Sequence, residues 1–441
     1  MAEYKRPASE AEFEQNFAPI HPLMNDTQAY YESARCLFCY DAPCINACPT
    51  GIDIPLFIRQ IHTGNVAGAA KTIYDANTLG YACGKVCPTE VLCEGACVYN
   101  EQQVKPIEIG RLQSYATGRV MAENRQLYRP GKPNGKKVAV IGAGPAGIAC
   151  ACELRMYGFE VDIYEAKAQP AGLNLYGVAP YKITNEEALA EVAYLQQQFG
   201  FKLLCKRPVR SRADLDELEQ TYDAIFLGIG LGGTRSLGIP GEQLANCLGA
   251  VEFIEALRMQ QHQLQVGRQV VVIGGGNTAM DAASESARMG AESVILAYRR
   301  SKEEMGAYPF EYELAKSVGV RALFNVSPVE ILGKEQVEGV RFVRTRSHKG
   351  ELEIVPGSEF IQPCDMLIRA TGQSKHSALL QLIEGLELDA KGRICVNERF
   401  QTGNARYFAA GDAVNGGVEV VNAVAEARRA ARGILEAVAP D

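Results

Sequence analysis

The sequence has no excess of positive charge, no apolar run of membrane length and no signal-peptide pattern. Its 52 acidic residues outnumber 45 basic ones, and the net charge of −7 gives no attraction to phosphate backbones or anionic lipid. The longest mostly apolar stretch, residues 138–154, is interrupted by three glycines and a proline, which is typical of a strand, turn and helix. The first residues mix acids and bases without an apolar segment. We therefore expect a cytoplasmic protein that binds neither nucleic acid nor membrane.

Two further absences restrict the chemistry. The five histidines, at positions 21, 62, 262, 348 and 376, lie outside every motif described below. No Cys-x-x-Cys pair follows residue 136, so a dithiol exchange has no residues to use in that part of the chain. No low-complexity segment or charge block interrupts the 441 residues, whose length predicts several domains. We predict no catalytic acid, base or nucleophile.

Cysteine, in contrast, is abundant and unevenly distributed. Eight of the fourteen cysteines lie within residues 36–97, and the other six are scattered through the rest of the chain. A reducing compartment keeps thiols free, so a disulfide framework is not expected. The scattered cysteines are typical of small buried hydrophobic side chains. The clustered ones predict a metal centre.

The clustered cysteines form two closely spaced runs. These are Cys36-x2-Cys39-x4-Cys44-x3-Cys48-Pro and Cys83-x3-Cys87-Pro-x4-Cys93-x3-Cys97. Runs of four cysteines with a Cys-Pro step are typical of 4Fe-4S ligands, and one cysteine of such a run can bind the other cluster. Seven or eight thiolates are enough for two clusters. The alternative is a pair of structural zinc sites, which also use four thiolates and would make the region a docking module.

Residues 136–165 predict a dinucleotide-binding fold. The text KVAVIGAGPAG ends a strand and opens a helix at Gly142, Gly144 and Gly147, and Glu165 follows the next strand. The first glycine permits a tight turn, the second lets a pyrophosphate approach the backbone, and the third lets the helix pack on the strand. Glu165 would bind the ribose hydroxyls, and the helix N-terminus would carry the anion.

A second unit of the same kind covers residues 269–300. Its text VVVIGGGNTA carries Gly274 and Gly276, with an alanine in the third position. The next strand ends in Arg299 and Arg300 rather than in an acid. Guanidinium groups pair with the 2′-phosphate of NADP, so NADPH is favoured over NADH. The alternative is that the two arginines form a solvated cap, since exposed arginine is common.

The second unit is predicted to be inserted into the first, because apolar runs flank it and a final YFAAGD follows at 407–412. The predicted fold class is α/β, with two nested, three-layer Rossmann-like domains for FAD and NAD(P), preceded by an all-α domain that carries two 4Fe-4S clusters. The predicted boundaries are 1–125 for the helical iron-sulfur domain, 136–250 and 363–441 for the two parts of the FAD-binding domain, and 251–362 for the NAD(P)-binding domain. Such a chain would take hydride from NAD(P)H and release single electrons to the clusters.

The chain resembles the N-terminal half of dihydropyrimidine dehydrogenase and the PreT-type subunit of the bacterial enzyme. More broadly, it is similar to the small subunit of glutamate synthase. The matching stretches, spread over nearly the whole chain, are RCLFCYDAPCINACP, GKVCPTEVLCEGAC, PIEIGRLQ, VAVIGAGPAGIACA, VVVIGGGNTAMD and YFAAGD.

The resemblance implies which residues bind each cluster. One 4Fe-4S cluster would use Cys36, Cys39, Cys44 and Cys97, and the other would use Cys48, Cys87, Cys93 and Gln113. From the residues alone, Gln113 is typical of a surface position on a helix. Glutamate synthase small subunits carry Glu at this position, so Gln113 favours the pyrimidine branch. Cys83 is left over, either as a structural residue or as a competitor of Gln113 for the fourth position.

The resemblance also extends the two nucleotide sites. On the flavin side it adds Gly172, Leu173, Lys182, Gly411 and Asp412, and on the nicotinamide side Asn277, Thr278 and Gly372. The chain departs from the family pattern in residues 171–183, where Lys182 stands in place of the usual arginine. It departs again at Gly306, where the mammalian dehydrogenases have a basic residue near the 2′-phosphate. The second departure leaves NADH open as the coenzyme.

Finally, the resemblance implies a partner. An FMN-binding TIM barrel needs about 250 residues, for which the chain has no room. A hetero-oligomer with an FMN-binding TIM-barrel catalytic subunit that carries ferredoxin-like clusters would reduce uracil or thymine to the 5,6-dihydropyrimidine. The alternative is a glutamate synthase small (beta) subunit, or another NAD(P)H-dependent reductase subunit, that delivers electrons to a different large subunit.

Overall fold

The structure is a computed structural model that describes residues 4–348 and 351–439. The chain forms two compact units, each assembled from separate stretches. The first unit contains the N-terminal residues up to Ala18, Tyr176–Tyr181 and Gly232–Ser374. The second contains Pro19–Leu175, Lys182–Leu231 and the stretch that begins at Lys375. Within the described part of the chain, every helix is too short or too polar to cross a membrane.

The part of the chain before residue 125 is helical. Its helices are α1 (Glu10–Asn16), α2 (Asp26–Ala34), α3 (Pro43–Ala47), α4 (Ile54–His62), α5 (Val66–Ala76), α6 (Gly80–Val86) and α7 (Ile109–Ala122). Short 3-10 turns lie at Thr89–Val91 and Val98–Gln102. Helix α1 belongs to the first unit, and the others belong to the second.

Helix α4 shows how the sequence determines such an element. The side chain of Asp53 accepts a hydrogen bond from the Leu56 N–H at 3.1 Å and caps the first turn. Apolar side chains recur at helical spacing and are all buried at Ile54, Phe57, Ile58 and Ile61. An apolar stripe of this kind, behind a capping Asp, is by itself enough to predict a helix from the sequence.

From residue 136 onward, strands and helices alternate. The strands are β1 (Lys137–Ile141), β2 (Glu160–Tyr164), β3 (Lys202–Leu204), β4 (Ala224–Leu227), β5 (Cys247–Gly249), β6 (Gln269–Ile273), β7 (Ser293–Tyr298), β8 (Arg321–Phe324), β9 (Val326–Leu332), β10 (Gly339–His348), β11 (Glu351–Ile354), β12 (Phe360–Pro363), β13 (Met366–Arg369) and β14 (Tyr407–Ala409). The helices are α8 (Pro145–Met156), α9 (Leu173–Tyr176), α10 (Asn185–Phe199), α11 (Arg212–Thr221), α12 (Ala250–Gln260), α13 (Asn277–Arg288), α14 (Pro309–Ser317), α15 (Ser377–Leu380), α16 (Asp412–Asn415) and α17 (Val420–Val438). A 3-10 turn lies at Gln261–Gln263.

The second unit contains a parallel sheet in the order β14-β4-β1-β2-β3. Residues Val138 to Ile141 of β1 are buried on both faces, as expected of a central strand that helices cover on either side. Helix α8 leaves the end of β1 and packs against the C-terminal helix α17. The end of β1 and the start of α8 therefore form the edge where a dinucleotide binds in such folds.

The first unit contains a second parallel sheet, in the order β5-β13-β6-β7-β8. An antiparallel sheet in the order β11-β10-β12 accompanies it, and β9 also pairs with β10. The predicted α/β class, with two Rossmann-like folds preceded in the sequence by a helical region, is confirmed.

Three stretches of the chain belong to a different unit from the one that the predicted domain boundaries imply. Strand β5 falls within 136–250 and β13 within 363–441, both assigned to the FAD-binding domain, yet both pair in the sheet of the first unit. Residues 4–18 fall within the predicted iron-sulfur domain but join the first unit, where the Asn16 Nδ2 donates to the Arg288 carbonyl at 2.8 Å. An apolar run predicts a strand, but it carries no signal for the sheet that the strand joins. The remaining boundaries stay predictions.

Candidate cofactor sites

Four thiols of the second unit converge on one cavity with largely aliphatic walls. They are Cys36, Cys39, Cys44 and Cys97. Burial raises the pKa of the Cys36 thiol, and burial together with the nearby charges of Cys36 and Cys97 raises the pKa of Cys44 to about 12. Thiols of this kind stay protonated at neutral pH, so a metal centre that binds here must displace protons. Four sulfur donors in apolar surroundings fit the 4Fe-4S cluster proposed for them.

The other clustered thiols gather around Cys87. A hydrogen bond with Cys83 raises the pKa of Cys87 well above its ordinary value, and burial and the charges of Cys83, Cys93 and Cys48 add to the effect. Burial also raises the pKa of Cys93, with contributions from Glu94 and Cys48. Cys48, Cys87 and Cys93 therefore lie close enough to interact. In the described part of the chain, no group of three or more His, Cys, Asp or Glu side chains is arranged to hold a single metal ion.

The two candidates for the fourth ligand of this second set have different contacts. Gln113 is buried on α7, and its Nε2 donates to the Gly80 carbonyl at 2.6 Å. An amide binds metals through its oxygen, and this hydrogen bond uses only the nitrogen. Cys83 is buried on α6, one helical turn before Cys87, and it lies close enough to raise the pKa of the Cys87 thiol. Both residues stay candidates.

The glycine turn after β1 is shaped for a phosphate ligand. A Cβ on Gly147 would lie 1.9 Å from the Gly142 carbonyl oxygen, so only glycine lets α8 pack this closely on the turn. Gly142 itself has φ +102°, a conformation that L side chains rarely adopt. Beside Gly144 the nearest atom to an added Cβ is the Gly172 Cα at 3.7 Å, which leaves the backbone accessible. The N-terminus of α8 opens onto this turn and supplies partial positive charge.

Glu165 stands immediately after β2 and is 9% exposed. Its Oε2 accepts a hydrogen bond from the Ala143 N–H at 2.8 Å, and its Oε1 accepts one from the Lys167 N–H at 2.7 Å. These bonds fix the carboxylate beside the glycine turn. The geometry fits the ribose-binding role proposed for it.

The other proposed flavin residues lie in the same unit. Gly172 comes so close to Gly144 that an added Cβ would lie 2.7 Å from the Gly144 Cα. The Gly411 N–H donates to the Glu426 Oε2 at 2.8 Å, and an added Cβ at Gly411 would lie 3.0 Å from the Ala146 Cβ of α8. Burial raises the pKa of Asp412 to about 6. Leu173 begins α9, Lys182 lies shortly before α10, and Asp412 begins α16.

The first unit carries the second glycine turn. A Cβ on Gly274 would lie 2.6 Å from the Ala370 carbonyl oxygen, whereas a Cβ on Gly276 would meet nothing within 4 Å. The Asn277 Oδ1 accepts a hydrogen bond from the Tyr308 N–H at 2.9 Å. The remaining proposed residues of this side are Thr278, which is exposed, and Gly372, which has φ +85°.

The two arginines proposed for the 2′-phosphate follow β7, which pairs with β6 in register up to Ile273 and Ala297. Tyr298 lies against Gly275, so the chain after it emerges beside the glycine turn. Arg299 is exposed, and the Arg300 Nε lies 3.7 Å from the Glu304 Oε1 with about a third of its side chain exposed. Such cations are accessible to a phosphate in solution.

The sequence reasoning missed two acids on α10 that hold α6. Glu191 is 1% exposed and accepts backbone hydrogen bonds from α6, and Glu187 accepts hydrogen bonds from side chains of the same helix. Burial raises the pKa of Glu191 to about 8. The signal that could have found it is an acid on the apolar face of an amphipathic helix, between the buried Ala188 and Leu195.

Two family models match the chain. Residues 13–125 match dihydropyrimidine dehydrogenase domain II, 4Fe-4S cluster. Residues 136–427 match pyridine nucleotide-disulphide oxidoreductase. The first match identifies the metal centre as iron-sulfur in place of the zinc alternative, and the two together show binding of FAD and NAD(P)H.

Relatives of known activity cover nearly the whole chain. The chain is 35% identical to the NADPH glutamate synthase small chain of Escherichia coli (strain K12), over 95% of its own length and 93% of that protein. It is 33% identical to the NAD-dependent dihydropyrimidine dehydrogenase subunit PreT of the same organism, over 94% of its own length and 95% of that protein. These two relatives are parts of multi-subunit enzymes, which is consistent with a hetero-oligomer.

Solved structures share the fold at lower identity. The His57Gln mutant of FprA from Mycobacterium tuberculosis aligns with a TM-score of 0.59 and 22% identity, over 70% of this chain and 85% of that one. Thioredoxin reductase of T. acidophilum aligns with a TM-score of 0.53 and 21% identity, over 68% of this chain and 98% of that one. At this identity the likeness concerns the fold alone.

Proposed function

Because this chain belongs to the pyridine nucleotide-disulphide oxidoreductase family and is an NAD(P)H-dependent FAD and iron-sulfur oxidoreductase, we propose that it is the electron-input subunit of a dihydropyrimidine dehydrogenase. In this role it takes hydride from NAD(P)H and passes single electrons through two 4Fe-4S clusters. The acceptor is an FMN-containing TIM-barrel partner that reduces uracil or thymine to the 5,6-dihydropyrimidine.

The residues of the chain bind and orient the reacting groups. Bound FAD supplies the conversion of a hydride into single electrons, the only form that iron-sulfur centres carry. Gly144 and the N-terminus of α8 would receive the flavin pyrophosphate, and Glu165 would hold the ribose. Gly276 and the N-terminus of α13 would receive the pyrophosphate of the nicotinamide coenzyme. Hydride transfer depends on closeness and alignment, so this assignment needs no acid or base.

One observation carries the electron-transfer part of the proposal. The thiols of Cys36, Cys39 and Cys44 share a cavity with Cys97, which is remote in the sequence, and they do so in the same compact unit as the flavin fold. Two electrons that arrive together at a flavin need one-electron acceptors nearby. Four converging thiols in that unit supply the ligands for one.

The choice of the pyrimidine branch rests on Gln113. The two branches are 35% and 33% identical to the chain, so overall identity favours neither. The resemblance implies Glu at the position of Gln113 in glutamate synthase small subunits and Gln in the pyrimidine branch. The buried position of Gln113 on α7, close to the helix that leads into Cys87, agrees with a role at the second cluster.

Anaerobic purification followed by mixing with a partner tests the function. We expect about eight iron atoms and eight sulfides per chain, as two 4Fe-4S clusters require, and one FAD. With an FMN-barrel subunit of the dihydropyrimidine dehydrogenase type, the protein should support uracil reduction by NAD(P)H. With a glutamate synthase large subunit it should not support glutamate formation. Activity only in the second mixture would place the chain in the alternative branch, and a colourless protein without iron or flavin would refute both.

A further inference from the structure

The helix that leads into Cys87 is held at its N-terminus by an acid from the flavin half of the second unit. Glu191 on α10 directs both carboxylate oxygens at the first turn of α6. Its Oε1 accepts a hydrogen bond from the Tyr81 N–H at 2.7 Å, and its Oε2 accepts one from the Ala82 N–H at 3.0 Å. The first N–H groups of a helix have no partner within the helix, so an outside acceptor must satisfy them. Glu191 is 1% exposed, which keeps water from competing.

A second acid, one helical turn earlier on α10, grips the side chains of the same helix. Glu187 accepts a hydrogen bond from the Tyr81 hydroxyl at 2.5 Å. It also pairs with the Lys85 ammonium at 2.9 Å, and the Lys85 side chain is only 3% exposed. Buried charge-assisted bonds of this kind are stronger than neutral ones. Four bonds from two acids therefore hold a helix of seven residues.

These contacts tie α6 to α10. A helix this short is not stable alone, because its few internal hydrogen bonds do not offset the cost of nucleation. Helix α6 carries Cys83 and ends directly before Cys87, and α10 begins shortly after Lys182. The acid pair thus joins a segment beside the proposed flavin residues to the segment that presents the proposed cluster ligands.

We propose that Glu187 and Glu191 are positioning residues for electron transfer from the flavin to the second cluster. By fixing α6 on α10 they set the place of Cys87 relative to the flavin fold. The inference rests on the proposed function, which assigns Cys87 to a cluster and the residues near Lys182 to the flavin. It adds residues that act through α6 rather than by touching a cofactor.

The first test measures how strongly Glu191 stabilises the first turn of α6, and it does not require enzyme activity. Amide hydrogen exchange is followed over residues 80–86 in the full-length wild type and in Glu191→Gln. The Glu191 carboxyl presents an oxygen to each of the two N–H groups, whereas glutamine places an NH2 donor opposite one of them, so exchange at Tyr81 and Ala82 should become about tenfold faster. The matched control is Glu186→Gln, which makes the same substitution at an exposed position on the same helix. Its exchange over residues 80–86 should equal that of the wild type.

The second test separates the two electron-transfer steps of the anaerobic full-length protein after mixing with NAD(P)H. Flavin bleaching reports hydride transfer, and the later bleaching and electron-spin signal of the clusters report the next step. We expect Glu191→Gln and Glu187→Gln to reduce the flavin at the wild-type rate and the clusters about tenfold more slowly, because transfer is sensitive to displacements of the order of an ångström. Glu186→Gln should match the wild type in both steps.

The outcomes decide the proposal in each case. Wild-type cluster reduction in both Glu191→Gln and Glu187→Gln would overturn it, whatever the exchange result, and so would a flavin step slowed as much as the cluster step. If Glu191→Gln purifies without iron, Tyr81→Phe replaces it, because this change removes only the hydrogen bond from the Tyr81 hydroxyl to Glu187. Slower cluster reduction in Tyr81→Phe would support the positioning role, and a wild-type rate of cluster reduction would overturn it. If the wild type lacks clusters, or if NAD(P)H does not reduce them, the proposed function is refuted, and so is the role of the two acids in electron transfer. The exchange result would then still show that Glu191 stabilises the first turn of α6.

Discussion

The two nucleotide-binding folds share a strand, a glycine turn and a helix, but they differ in how tightly the turn is enclosed. In the second unit Gly147 packs against the Gly142 carbonyl, and the buried Glu165 is fixed by two backbone N–H groups. In the first unit Ala279 takes the third small position, and the residue after β7 is the exposed Arg299. An enclosed turn suits a cofactor that stays bound, and an exposed cation suits a coenzyme that must bind and leave. We therefore expect the same motif to hold a resident cofactor in the second unit and an exchanging coenzyme in the first.

The sharpest way to break this comparison is to exchange the third small residue of each turn. Gly147→Ala places a Cβ 1.9 Å from a backbone oxygen that cannot move aside without displacing β1 or α8. We expect a loss of about 3 kcal/mol of unfolding free energy and most of the bound FAD. The reverse change, Ala279→Gly, should cost about 1 kcal/mol and leave the FAD in place. Denaturant unfolding and the ratio of flavin to protein absorbance measure both, and equal flavin loss in the two variants would contradict the comparison.

The acid after β2 offers the next largest effect. Glu165→Ala leaves the N–H groups of Ala143 and Lys167 without their acceptor, which should cost about 2 kcal/mol and weaken FAD binding. Glu160→Ala on the same strand removes only a surface pair with Lys137 and should cost less than about 0.5 kcal/mol. Flavin release on dilution and unfolding midpoints distinguish the two. Retention of FAD in Glu165→Ala would remove this residue from the flavin site.

The arginines after β7 test the exchangeable side. Replacing both Arg299 and Arg300 by alanine should weaken the binding of NADPH by roughly 2 kcal/mol, which is about 30-fold in affinity. The affinity for NADH and the FAD content should stay unchanged. Steady-state KM values for the two coenzymes, with an artificial electron acceptor, provide the measurement. Equal kinetics of the wild type with NADPH and NADH would refute the assignment before any variant is made.

A smaller gain is expected at Gly306. An added Cβ there would meet only the Gly275 carbonyl oxygen at 3.8 Å, so a longer side chain fits without strain. Gly306→Lys should raise the preference for binding NADPH over NADH about threefold, which is the usual contribution of one exposed charge pair. The improvement should vanish at high salt, because exposed charges are screened. Gly306→Gln, similar in length but neutral, is the control.

The chemistry of the sites could be predicted from the sequence because it depends on residue types at short spacing. The cysteine runs, the two glycine turns, Glu165, and the arginine pair after β7 are each local patterns with a local steric or electronic reason. The helix at residues 54–62 follows from its apolar stripe and its capping Asp53 in the same way. The resemblance to a known family, rather than spacing, grouped Cys97 with the first three thiols.

Only the tertiary structure decided how remote stretches combine. It placed β13 beside β6 and residues 4–18 in the first unit, it bonded Gln113 to the Gly80 carbonyl, and it joined Glu187 and Glu191 to α6. These pairings lie many residues apart, and their stability comes from burial and from satisfied backbone groups that exist only after the chain has closed on itself. A pattern of a few neighbouring residues cannot encode such a choice of partner, whereas it does encode which atoms are available to bind iron, phosphate and ribose.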